Sequence, residues 1–281
     1  MKAKKIAFPF FLTALFLGQL VFYCGCSNSA ANTDSTPVAP APAVDAKLKL
    51  LIENYRSFFI QTMQETQTPG AAVAIVKGDS VIFLEGFGVR DTKSQTPVDV
   101  HTVFRIGSLS KGFAGILTGI LVQDGMMEWN QTVQDCYPGF VLRDEKQASR
   151  MQIRHLLSHT TGLPYHAFTN LIEMGYDTRR IVENYFPRAP LSGREGEVFS
   201  YQNAAFCVIE PVMEASAHQT YDELLSGRIF KPAHMVDASC NFQSMQQSEN
   251  KCLPHFWTGN YFNPEPISNL YYNSAAAGGV N

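Results

Sequence analysis

The stretch "FRIGSLSKGF", Phe104 to Phe113, places Ser108 three residues before Lys111. Apolar residues at helical spacing continue as far as Asp124, so the sequence predicts a strongly apolar helix with Ser108 at its N-terminus. Residues three apart lie on one face of a helix, and a helix N-terminus leaves backbone N–H groups without intrahelical acceptors. Two interpretations follow: Ser108 is a nucleophile beside its base, or Ser108 is only a helix cap.

A second Ser-x-x-Lys pair, Ser248 and Lys251, shows that this spacing alone does not identify a site. The residues around it, 243–251, are mostly polar, and no apolar helix follows. Nothing in that sequence would hold the two side chains in one arrangement. We predict that this second pair lies on a surface loop.

The composition is typical of a soluble globular protein, with 45% hydrophobic and 17% charged residues in a chain of 281. Such a chain can bury a sizeable core in one large domain or two. The formal net charge is only −3 and no long basic run occurs. Nucleic-acid binding therefore has no electrostatic support, and we expect no nucleic-acid partner.

Residues 1–26 combine a positively charged start, an apolar run and a change to small and polar residues at Gly25-Cys26-Ser27. This pattern predicts a secretory signal peptide; a retained membrane helix is the alternative, because the run approaches spanning length. Gly25 before Cys26 also resembles a bacterial lipoprotein signal, which implies lipidation at Cys26, with plain cleavage as the alternative. We expect an exported protein of the bacterial periplasm or cell envelope, with a lipid on Cys26 as its membrane anchor.

Residues 27–45 are rich in Ser, Ala, Thr and Pro, and they predict a flexible linker because they cannot bury a core. Residues 46–281 form the predicted folded domain. Its first segment, 44–65, has helical spacing, and two β-branched runs at 71–76 and 80–87 flank turn residues and predict a hairpin. Further helices are predicted at 151–158, 177–185, 204–217 and 221–230. We therefore predict an α/β (α+β) fold, with an antiparallel sheet flanked by helices and a mostly helical lobe.

Four cysteines follow the signal: Cys136, Cys207, Cys240 and Cys252. Export permits disulfides, and the pairing that we favour is Cys240–Cys252, which would close a short polar loop. Cys207 lies in an apolar helical run and is predicted to be a buried thiol. His155 and His159 stand four apart, but no third ligand stands at zinc-enzyme spacing. We predict no metal site and no cofactor.

A serine hydroxyl becomes a nucleophile when a neighbouring base takes its proton, and a lysine can be that base only when it is neutral. A tyrosine is one group that can assist such proton transfers. The stretch "FSYQN" places Tyr201 two residues before Asn203, on the segment that leads into an apolar helix. In an extended segment, these two side chains would share one face.

At this point the chain resembles the serine β-lactamase and penicillin-binding-protein superfamily, in particular its branch of class C β-lactamases, D-alanyl-D-alanine carboxypeptidases and esterases. The resemblance covers residues 46–281 and rests on "GSLSKGF", "FSYQN", "HLLSHTTGLP" at 155–164 and the first hairpin. It implies a β-lactamase/transpeptidase-like fold. It also implies that Ser108 is the acylated nucleophile and provides one oxyanion N–H, that Lys111 and Tyr201 share the proton transfers, and that Asn203 binds the substrate's amide side chain.

One motif of that superfamily is missing: Lys or His, then Thr or Ser, then Gly, on a strand near the C-terminus. Trp257-Thr258-Gly259 is the nearest match and lacks the cation. In addition, Glu195-Gly196 stands where the family usually has Pro-Gly. The resemblance therefore implies a catalytic domain at 46–281 that lacks its C-terminal strands, which in the family pair beside the first hairpin. We expect residues 1–281 alone to be inactive and poorly stable.

The leading interpretation is an exported serine hydrolase that acts through an acyl-enzyme on a β-lactam, a D-Ala-D-Ala peptide or a small ester. The alternative is a non-catalytic relative that binds cell-wall peptide or serves as a scaffold. The presence of Ser108, Lys111 and Tyr201 favours the enzyme, whereas the missing third motif favours the alternative.

Overall fold

The computed structural model of the protein describes residues 45–281. The predicted signal peptide at 1–26, with Cys26, and all but the last residue of the linker at 27–45 lie outside the described residues. None of the helices in the described part combines the length and the apolar character needed to cross a membrane.

The predicted first helix and hairpin are both present. Helix α1 is Ala46–Thr66, and strands β1, β2 and β3 are Gly70–Lys77, Ser80–Asp91 and Thr96–Pro97. The three strands form one antiparallel sheet in the order β1-β2-β3, with Ala71 opposite Phe87 across the hairpin. The turn is tight because Gly78 takes a positive φ of 58°, a conformation that costs glycine little.

Helix α1 packs on this sheet through aromatic rings. Tyr55 of α1 faces Phe83 of β2 and Phe59 faces Phe87, with ring centroids 6.1 and 4.9 Å apart. Arg56 adds a two-pronged ion pair with a carboxylate of β2. No residue of α1 is fully buried, so this layer contributes much less burial than the helical part of the protein.

The rest of the described chain is mainly helical, and a small second hairpin lies near its end. The helices are α2 (Ser110–Gln123), α3 (Val133–Cys136), α4 (Glu145–Arg150), α5 (Ile153–Leu157), α6 (Thr169–Glu173), α7 (Thr178–Tyr185), α8 (Asn203–Phe206), α9 (Ile209–Ala217), α10 (Tyr221–Leu225), α11 (Phe242–Gln247) and α12 (Ala275–Gly278), and the hairpin strands are β4 (His255–Trp257) and β5 (Phe262–Pro264). Helix α10 continues into a π-helical turn, Ser226–Phe230.

Helix α2 lies in the centre of the main core. Its residues Ala114, Leu117 and Leu121 have no solvent exposure, as the apolar spacing after Ser108 predicts. They belong to a continuous cluster with buried side chains of α5, α7, α9 and α10. This core fixes the axis of α2 and therefore the position of its N-terminus.

Two predictions about local structure are wrong. The single helix predicted at 204–217 is two helices, α8 and α9, because Pro211 has no N–H to donate and its ring would clash with the carbonyl four residues earlier. The Cys240–Cys252 disulfide is absent and all four cysteines in the described residues are free. Cys240 is buried in the helical core, whereas Cys252 donates its backbone N–H to the Val103 carbonyl.

Loss of an aromatic ring should lower stability more in the helical core than in the layer formed by α1 and the first sheet. Phe186 has no solvent exposure and packs edge-on against Phe140, so Phe186→Ala should lower the free energy of unfolding by about 3–5 kcal/mol. Phe59→Ala should cost less, because that ring is only half-buried. Urea unfolding with matched m-values measures both, and equal losses would contradict this description of the core.

Candidate active site

Ser108 lies on a tight turn that leads directly into α2. A 3₁₀-helix, Gly107–Leu109, precedes the first residue of α2. Gly107 adopts a left-handed φ of 53°, which a residue with a Cβ would enter only at a cost. Ser108 itself is exposed. As the second residue of a helical turn, it has a backbone N–H without an intrahelical acceptor.

The structure brings Ser108, Lys111 and Tyr201 together. Tyr201 Oη donates a hydrogen bond of 2.9 Å to Ser108 Oγ, and Lys111 Nζ lies 3.2 Å from the same oxygen. Lys111 Nζ also donates to the Ala277 carbonyl at 2.9 Å. The ammonium lies over the rings of Tyr201 and Phe206, at 5.0 and 5.5 Å from their centroids, an arrangement that attracts a cation. Two groups able to carry a proton therefore contact one exposed hydroxyl.

The segment that carries Tyr201 is held by two histidines. The N–H of Ser200 donates to the His159 carbonyl, and the Tyr201 carbonyl accepts from the N–H of His166. The His159 ring lies 4.5 Å from the Tyr201 ring, and its Nδ1 accepts the backbone N–H of Gln202. His159 is a positioning residue that the sequence interpretation missed, although the "HLLSHTTGLP" segment contains it.

Burial, together with the smaller effect of the nearby Lys111 ammonium, lowers the pKa of His159 to about 4. The imidazole is therefore neutral at neutral pH, as its role as acceptor from Gln202 requires. A protonated ring would lose that hydrogen bond and place a second positive charge next to Lys111.

Asn203 is the first residue of α8 and is 94% buried, with a relative exposure of 6%. Its side-chain Oδ1 accepts no hydrogen bond from any residue in 45–281. Buried polar atoms are nearly always paired, so this oxygen has capacity for a partner. Its predicted role in binding a substrate amide stays a prediction.

The other candidate residues are not arranged as a catalytic group. Lys251 Nζ donates to the backbone carbonyls of Gln246 and Ser248, not to the Ser248 hydroxyl. Thr258 of Trp257-Thr258-Gly259 uses its hydroxyl to close the turn between β4 and β5. Within residues 45–281 no three His, Cys, Asp or Glu side chains are grouped so as to hold a metal ion.

Residues 55–279 match the family model described as Beta-lactamase. The chain belongs to the β-lactamase family. This is a family of serine hydrolases, and the predicted resemblance is thereby confirmed.

Two curated relatives are similar to this member of the family over part of their length. "Protein flp" of Staphylococcus aureus strain N315 is 27% identical over 194 residues, which cover 67% of this chain and 37% of that protein. "Penicillin-binding protein 4*" of Bacillus subtilis strain 168 is 25% identical over 182 residues, 62% of this chain and 39% of that protein. The chain thus spans well under half the length of these relatives.

Solved structures confirm the predicted fold. The octameric penicillin-binding protein homologue from Pyrococcus abyssi superposes with a TM-score of 0.69 at 22% identity, over 82% of this chain and 53% of that one. "EstCE1, a hydrolase with promiscuous acyltransferase activity" gives a TM-score of 0.69 at 19% identity, over 83% of this chain and 69% of that one. The β-lactamase-family chain therefore has the β-lactamase/transpeptidase-like α/β fold.

The neutral state of His159 should make stability depend on pH. The folded-state pKa, about 4, lies below the unfolded value of about 6.5. The contribution of the neutral ring is therefore complete above pH 6.5 and is lost as the pH falls from 6.5 through 4.

His159→Asn keeps an acceptor but does not titrate. We expect the stability gap between the unchanged chain and this variant to be constant above pH 7 and to shift in favour of the variant towards pH 4. A gap that is the same at pH 7.5 and pH 4.5 would refute this assignment.

Proposed function

We propose that this protein is a serine hydrolase that acts through an acyl-enzyme formed on Ser108. The observation that carries the proposal is the exposed Ser108 Oγ, which lies within hydrogen-bond distance of both Tyr201 Oη and Lys111 Nζ. A hydroxyl between two proton-carrying side chains is the arrangement that makes serine a nucleophile. A helix cap would need neither of these partners.

In the proposed reaction, the Lys111–Tyr201 pair has first released one of its protons to solvent, and it takes the Ser108 proton while Oγ attacks the carbonyl carbon of an acyl donor. The Ser108 N–H supplies one hydrogen bond to the oxyanion that forms. The leaving group receives a proton from the same pair as its bond to the acyl carbon breaks. Water then attacks the Ser108 ester, and its proton returns through the pair to Oγ as the acid product leaves.

The proposed substrates are acyl donors of three kinds: a β-lactam, a D-Ala-D-Ala peptide or a small ester. The similarity to a penicillin-binding protein and to the hydrolase EstCE1 supports this range. Asn203, which lies two residues after Tyr201 and has an unpaired Oδ1, is proposed to bind the amide side chain of the substrate. We propose no cofactor for this reaction.

We also propose that the protein is exported to the periplasm or cell envelope. The support is the sequence of residues 1–26, followed by the Pro- and Ala-rich segment 27–45. Lipidation of Cys26 would then place the hydrolase domain at a membrane surface, on a flexible linker.

A second candidate function is non-catalytic binding of cell-wall peptide. It is favoured by the absence of a Lys/His-Thr/Ser-Gly tripeptide from the 281 residues, and by the structural use of Thr258 in a turn. Such a protein would bind the peptide but would form no covalent adduct. Covalent labelling therefore discriminates between the two functions.

Ser108→Ala should abolish covalent labelling by a fluorescent penicillin or by a fluorophosphonate, because Oγ is the proposed point of attachment. The fold should be unaffected, since the Ser108 side chain is exposed. The matched control is Ser248→Ala, which removes the serine of the second Ser-x-x-Lys pair and should label normally. Mass spectrometry locates the adduct, and an acyl group on Ser110 or Ser248 would overturn the assignment.

Tyr201→Phe should slow turnover of nitrocefin or of a p-nitrophenyl ester by about 10²–10⁴-fold, the usual loss when a proton-transfer group is removed. Substrate affinity and stability should change little, because the ring and its contact with His159 remain. Tyr165→Phe is the control, because Tyr165 is exposed and its ring contacts His166, which also contacts Tyr201. Undiminished turnover in Tyr201→Phe would show that Lys111 transfers the proton alone.

A further inference from the structure

Glu210 is a buried acidic group that the proposed reaction does not use. It lies in the first turn of α9, and its Oε1 accepts the backbone N–H of Ala276 at 2.7 Å. Ala276 belongs to α12, and the next residue, Ala277, provides the carbonyl that binds Lys111 Nζ. One carboxyl group is therefore connected to the Lys111 ammonium through two adjacent residues of α12.

Helix α12 has little means of fixing its own position. It is four residues long, Ala-Ala-Ala-Gly, and all four residues are buried. So short a helix has almost no intrinsic stability, and its side chains carry no polar group. Hydrogen bonds from other elements must therefore place it. Downstream, the Val280 N–H donates to Ser110 Oγ and the Val280 carbonyl accepts from the Ile106 N–H. Within α12 itself, the bond to Glu210 satisfies a first-turn N–H that has no intrahelical acceptor.

We propose that Glu210 is a positioning residue, which fixes α12 so that the Ala277 carbonyl holds Lys111 Nζ against Ser108 Oγ. The catalytic consequence rests on the proposed function of Ser108. A displacement of a reacting group by about 1 Å can reduce a rate by about 10²-fold. The position of Ala277 is therefore a determinant of how fast Ser108 can be acylated.

The surroundings of Glu210 indicate which substitution should preserve this role. Glu210 keeps part of its accessible surface, but protein atoms surround the carboxyl group, and this burial raises its pKa to about 8. A protonated carboxyl and a carboxylate both offer an oxygen to the Ala276 N–H. The amide of a glutamine offers the same oxygen at the same distance from the backbone. Glu210→Gln should thus retain the contact, whereas Glu210→Ala removes it.

Helix α9 also supplies a matched control. Glu214, one turn after Glu210, accepts the backbone N–H of Tyr221 at 3.1 Å through its own Oε1. Glu214→Ala removes the same kind of contact from the same helix, but its partner is α10, not α12. A role of Glu210 in stability alone would make the two alanine variants behave alike.

The test measures the rate constant of acylation by fluorescent penicillin or fluorophosphonate in the full-length protein, per folded molecule. We expect Glu210→Ala to acylate about 10–10²-fold more slowly at saturating probe, with unchanged half-saturation. Glu210→Gln and Glu214→Ala should stay close to the unchanged chain. Normal acylation in Glu210→Ala, or equal slowing in Glu214→Ala, overturns the proposal.

Amide hydrogen exchange over residues 275–278 gives a readout that requires no activity. Glu210→Ala should accelerate exchange in this segment, whereas Glu214→Ala should accelerate exchange near Tyr221 only. If no probe acylates the unchanged full-length protein, the proposed function is refuted and the exchange experiment alone decides the position of α12. Unchanged exchange at 275–278 in Glu210→Ala then overturns the positioning role.

Discussion

The hydrogen bond from Lys111 Nζ to the Ala277 carbonyl connects the candidate site to the interior of the protein. Without a fixed acceptor, a lysine on an exposed helix end would sample many rotamers, at a large cost in entropy for any one of them. Here the ammonium is constrained by a carbonyl on one side and by aromatic rings on another. The geometry at Ser108 thus depends on a backbone segment more than 160 residues away in sequence.

Different parts of the fold therefore contribute differently to the geometry at Ser108. The helical core supplies the rigid part: α2 is buried along one face, and α9 and α12 pack against it. The helix and hairpin at the start of the domain contribute aromatic contacts at half-exposed positions. The neutral His159 ring completes the support from the opposite side, because it lies against Tyr201. Every group that approaches Ser108 Oγ is therefore fixed by an element of the helical core or by a loop attached to it.

Local features of the fold could be predicted from the sequence, and long-range features could not. The hairpin and α2 follow from apolar periodicity and turn residues within short windows. Ser108, Lys111 and Tyr201 were predicted to act together through motif resemblance, and the structure brings them within hydrogen-bond distance. The contact of His159 with Tyr201 and the burial of α12 depend on tertiary packing, which leaves no periodic signal in "AAAGG". The break before α9 could have been predicted from Pro211, because proline is tolerated in the first turn of a helix but not in its interior.

The composition of α12 also limits which side chains evolution can place in this segment. All four residues are buried, and a Cβ added at Gly279 would lie 2.8 Å from Ala275. Side-chain volume is therefore under constraint in addition to polarity, because an unpaired polar group buried here would also be costly. A methyl group added at Gly279 would displace the Ala275 backbone, and with it the segment whose Ala277 carbonyl Lys111 binds. Among functional relatives of this chain, side-chain size should accordingly vary little at these positions. The exposed face of α1 should accept substitutions of many sizes.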